Sequence, residues 1–81
     1  MTPPLQRGEF VCVSAHGVTK DAMVGLASPN GRSLILLFDG GLFWPGDGGG
    51  YVGSMPVFEN DNGEWVELIN QRPITIERKS S

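Results

Sequence analysis

The sequence is poor in the residues that carry chemistry. It holds one cysteine and one histidine among 81 residues, so it cannot close an internal disulfide or supply the three or four Cys and His ligands that a zinc site needs. A secreted domain of this size ordinarily carries several cysteines as staples. The lone Cys12 therefore predicts a reducing, cytoplasmic setting. Long apolar runs are missing too. The longest, Leu34 to Phe38, spans five residues, against about 20 for a membrane-crossing helix. The opening MTPPLQRGEF has no apolar stretch of signal-peptide length, so no membrane partner is expected.

Positive charge is absent from the middle of the chain. Between Ser33 and Gln71 there are six acids (Asp39, Asp47, Glu59, Asp61, Glu64, Glu67) and no Lys or Arg. The six basic residues lie outside that window, where Glu9, Asp21 and Glu77 offset half of them, and the net charge is −3. Nucleic-acid backbones call for a clustered cationic surface, and the only local cluster is Arg78-Lys79, so no nucleic-acid partner is expected.

Catalytic constellations are equally sparse. A nucleophile needs a base within reach, and Cys12 with His16 four residues on is a nonspecific pair. The acidic turn ENDNGE fails the EF-hand pattern, because counting five residues back from Gly63 gives Phe58 where an oxygen ligand is required. GDGGG precedes a strand, whereas phosphate-cradling loops open a helix. Glu64 and Glu67 read as ordinary acids on a solvated edge. No metal and no cofactor is predicted, and the reading leans away from an enzyme.

What the chain does have is strand alternation, turn residues and glycine. Residues 1–8, with adjacent prolines and no period, read as an extended or disordered leader. Glu9 to Ser14 is a first strand whose two faces are both apolar, and AHGVTKD follows as a turn. Pro29-Asn30-Gly31 is the strongest local signal, a three-residue hairpin loop between Ala22–Ser28 and Ser33–Phe38. That loop pairs Leu26 with Leu34, Val24 with Leu36 and Ala22 with Phe38 as a core face. It leaves Met23, Gly25 and Ala27 with Ser33, Ile35 and Leu37 on a second face that carries no charge.

Six of the twelve glycines fall within Gly40–Gly50, read as a loop interrupted by Leu42, Phe43 and Trp44. Tyr51–Phe58 alternates as a strand, but Pro56 assigns it to an edge or bulge. ENDNGE then turns into Trp65–Ile69, and a tight connection leads to Ile74–Arg78, with 79–81 as a frayed tail. No window shows a helical stripe. The fold expected over 9–78 is a single small all-β barrel of five to six short antiparallel strands, SH3-like in architecture, with an OB-like barrel as the alternative.

Two functional expectations follow. A domain this small buries only about 60–65% of the surface its unfolded chain exposes, and an apolar second hairpin face predicts a self-associating interaction module, a homo-oligomer with Met23, Ile35 and Leu37 at its interface. The alternative is a small-molecule-binding protein or minimal enzyme whose site lies at the glycine-rich loop, with Phe43, Trp44, Tyr51 and Trp65 as its aromatic binding residues.

Overall fold

The computed structural model describes residues 4–46 and 49–79, and every regular element among them is a strand. These are β1 (Phe10–Ala15), β2 (Val18–Ala27), β3 (Ser33–Phe43), β4 (Gly50–Glu59), β5 (Trp65–Glu67) and β6 (Pro73–Arg78). Each pairs antiparallel with its neighbour in sequence, and β6 returns to β1, so the sheet closes into a six-stranded barrel. The all-β barrel expected from the turn spacing is therefore the fold of this chain. Among the described residues no helix is long and apolar enough to cross a membrane.

The core follows strand alternation. Val11, Val13 and Ala15 of β1 point inward with Ala22 and Val24 of β2, Leu34, Leu36, Phe38 and Leu42 of β3, Met55 and Val57 of β4, and Ile74 of β6. The ambiguity of β1 is resolved by its partners: Val13 lies opposite Ile76, which packs against the core, while Phe10 lies opposite Met23 on the outside.

The central hairpin departs from expectation by one residue. Ser28 N–H donates to Ser33 O at 2.9 Å, making the loop four residues long, Pro29–Arg32, with Gly31 at φ +71°. Ala27 then faces Leu34 and Leu26 faces Ile35, and a bulge at Gly25 returns the register so that Val24 meets Leu36. Five of the six predicted core residues are buried, but Leu26 is turned outward by the bulge and Ala27 takes its place against the core.

Three further boundaries move. β2 begins at Val18, four residues before the expected Ala22, because the β1–β2 turn is only His16-Gly17. β3 runs on through Gly40–Phe43 and pairs with Gly50–Val52, so much of the predicted glycine loop is hairpin ladder. Pro56 does not mark an edge strand, since β4 pairs with β3 on one side and with β5 on the other. Its carbonyl accepts Leu68 N–H at 3.1 Å, and the return bond that its missing N–H would have made falls where β5 has already ended at Glu67. In place of the expected Trp65–Ile69 strand, Leu68–Asn70 form the β5–β6 turn.

Candidate functional site

Strand closure gathers the β1–β2, β3–β4 and β5–β6 turns at one end of the barrel, and a polar-aromatic cluster is built there. Its centre is Glu67, the last residue of β5, whose side chain is completely buried. A buried carboxylate is costly unless hydrogen bonds and a cation compensate it. Its Oε1 accepts from Tyr51 Oη at 3.1 Å and from Asn70 N–H at 2.6 Å. Its Oε2 makes no hydrogen bond with the described residues and lies 3.7 Å from Arg72 Nη1.

Arg72 is held in turn by Trp44, whose ring centroid lies 4.9 Å from the guanidinium carbon. Glycine at 49 leaves room for that guanidinium, since a Cβ there would stand 2.8 Å from Arg72 Nη2. Tyr51 meets Trp44 edge-on at 6.1 Å, and His16 tilts against Trp44 at 5.6 Å. Main-chain bonds close the frame: Glu67 N–H donates to Arg72 O at 3.0 Å, and Ile69 N–H reaches Tyr51 Oη at 3.4 Å.

The solvated edge expected for Glu67 is thus corrected. Glu67 is closed off from solvent, and its carboxylate is taken up by Tyr51, Asn70 and Arg72. What the arrangement can do is fix the β5–β6 turn against the β3–β4 hairpin.

Burial pushes the Tyr51 phenol above its ordinary value of 10.0, and the neighbouring Glu67 carboxylate adds to the rise against the opposing Ile69 N–H and Arg72. The folded chain then holds this proton more tightly than the unfolded one. That contribution to stability is complete below pH 10 and is lost as pH climbs through the raised folded value. Urea unfolding between about pH 8 and pH 11.5 is expected to show a steeper alkaline loss for the wild type than for Tyr51→Phe; parallel curves would contradict the assignment.

Of the four aromatics singled out in the sequence, only Trp44 and Tyr51 come together. Phe43 is an outward side chain whose ring lies over Gly41 and Gly50. Trp65 belongs to the opposite end, where it lines a cavity of about 730 Å³ together with Leu5, Ile76, Arg32, Glu59 and Arg78. There Arg32 pairs with Glu59 at 3.4 Å and Arg78 with Glu9 at 3.5 Å.

Met23, Ile35 and Leu37 all lie on the outer face of β2 and β3. The register extends this face to a residue that alternation alone could not place. Phe10 of β1 lies opposite Met23, and Met23 opposite Leu37, so the three form one row across three strands. Phe10 is 64% and Leu37 40% exposed. They line a shallow groove of about 550 Å³ that reaches Gly53 of β4, with Asp21 and Asp39 at its rim. Gly25 leaves room for the Leu37 side chain: a Cβ there would stand 2.8 Å from Leu37 Cδ1. Lys79 donates to Asp21 at 3.1 Å and holds its carboxyl below the usual range, with the Cys12 thiol at 3.6 Å adding to the effect.

Arg72 and Phe10 are not apparent as site residues in the sequence, and His16 and Glu67 appear there only in pairings, with Cys12 and Glu64, that the structure does not bring together as a site. Among the described residues, no three His, Cys, Asp or Glu side chains are grouped to hold a metal ion. The geometry thus defines a class: a closed meander barrel with one turn pinned by a buried ion pair and one wall left apolar. Comparison with protein families, curated proteins and solved structures finds no match, so the functional reading rests on that geometry.

Proposed function

We propose that the protein is a small β-barrel assembly module that associates with copies of itself through the outer wall of β1, β2 and β3. The observation that carries this reading is the row Phe10–Met23–Leu37, apolar and open on a barrel whose interior already has its own filled core. Such contiguous patches on a small domain mark interaction surfaces. Closure favours one mode of contact. With β6 paired to β1, no strand among the described residues ends an open sheet, which supports contact through side chains on a face rather than by strand addition. A lone, half-buried Cys12 supports a reducing cytoplasmic setting for the assembly.

A ligand site at the Phe43–Trp44 loop has less to stand on, because the Trp44 ring is already engaged by Arg72, Tyr51 and His16. The test is sedimentation at micromolar concentration. The wild type should run as a dimer or larger species. Leu37→Lys should weaken association by roughly 30-fold or more, as expected for charge placed at an interface centre, and Ile35→Lys should weaken it in the same direction. A folded wild-type monomer would sink the proposal.

A further inference from the structure

We infer that this self-association is head-to-tail, with the Leu68–Ile69 turn of one copy seated in the Phe10–Met23–Leu37 groove of the next. The inference rests on the self-association proposed above and adds which surfaces meet. Turns between strands are ordinarily polar, yet this one presents Leu68 at 54% and Ile69 at 70% exposure. It is also the turn that the buried cluster holds in place: Asn70 N–H is bonded to Glu67 Oε1, Ile69 N–H to Tyr51 Oη, and Glu67 N–H to Arg72 O. Gln71 at φ +56° completes a conformation that a non-glycine residue rarely adopts. A buried carboxylate and a left-handed glutamine are both unfavourable in isolation. Together they fix two apolar side chains outward, and a turn already ordered loses little entropy on docking.

The cost of desolvating charge selects this turn over the other connections. The groove's two acids lie beside cations, Asp21 paired with Lys79 at 3.1 Å and Asp39 accepting at its carbonyl from Lys20 Nζ at 3.4 Å. An apolar lining would therefore meet the charges of the β4–β5 turn, Asp61 and Glu64, or of the β3–β4 connection, which carries Asp47 in sequence, with no spare cation among the lining residues to pair them. Residues 68–71, Leu-Ile-Asn-Gln, carry no charge. The remaining connections offer no apolar knob: one is His16-Gly17 and the other is Pro29–Arg32.

The row and the turn belong to different parts of one molecule, since Phe10, Met23 and Leu37 lie on β1, β2 and β3, and none of these strands pairs with β5. A contact between two different surfaces is heterologous, so each copy keeps a free groove and a free turn for further copies.

Complementation tests this in the full-length chain. Leu37→Lys spoils the groove and keeps the turn, whereas Ile69→Lys spoils the turn and keeps the groove. Each alone should weaken association at least about 10-fold with an unchanged circular dichroism spectrum. Their mixture should form a 1:1 heterodimer that grows no further. In a Cys12→Ser background, Leu37→Cys and Ile69→Cys should form a disulfide with each other on oxidation and little with themselves. An Ile69→Lys chain that associates like wild type, or Leu37→Cys coupling chiefly to itself, overturns the head-to-tail arrangement and leaves the assembly proposal standing. A monomeric wild type overturns both.

Discussion

Replacing Glu67 by alanine is expected to cost about 3–5 kcal/mol, the range found when one partner of a buried ion pair is removed. That is a large part of the roughly 4–12 kcal/mol available to a chain of 81 residues. The change deletes the acceptor of Tyr51 Oη and Asn70 N–H and leaves Arg72, only 16% exposed at its side chain, without this carboxylate. Glu67→Gln keeps an oxygen for Tyr51 and Asn70 and loses the charge, so its cost should be smaller, about 1–2 kcal/mol. A double-mutant cycle of Glu67→Gln with Tyr51→Phe should then return a coupling of about 0.5–3 kcal/mol. Urea unfolding followed by tryptophan fluorescence reads all three. If Glu67→Ala lies within about 0.5 kcal/mol of wild type, in the range of ordinary surface substitutions, the cluster is not what holds that end of the barrel.

The same residues show which features were legible in the sequence. A barrel of five to six strands could be read because turn signals are local: Asn62-Gly63 turns with Gly63 at φ +80°, and Gly31 turns with φ +71°. The core face of β3 could be read because Leu34, Leu36 and Phe38 alternate. Leu26 could not be placed correctly, because a bulge at Gly25 depends on how Leu37 packs over that glycine from the next strand. Gly40–Phe43 reads as a loop by composition. It is ladder because β4 supplies partners and the Phe43 ring covers the glycines at 41 and 50. Glu67 was the least legible residue. Its burial depends on Tyr51, sixteen residues earlier, and on Arg72 brought against Trp44 from a third strand end. No spacing rule within WVELI reports such a convergence.

Leu36 and Leu37, adjacent in the LILLF run, should fail in opposite ways, and that contrast separates core packing from association. Leu36 is fully buried and faces Val24 on one side and Met55 on the other. Leu36→Ala removes a side chain from a core with nowhere to collapse, and should cost about 2–5 kcal/mol. Its assembly should be weakened only as far as the folded population falls. Leu37 stands in the outer row opposite Met23 and Ser54. Leu37→Ala should change unfolding by less than about 1 kcal/mol, since a partly exposed side chain leaves no internal cavity. At conditions where the chain is fully folded it should nevertheless weaken association by roughly 10-fold or more. Unfolding curves and sedimentation profiles on the same two samples give both numbers. Should Leu37→Ala prove as destabilising as Leu36→Ala while association is untouched, the outer row would be packing that serves the monomer, and the face of β1, β2 and β3 would lose its claim as the surface where copies meet.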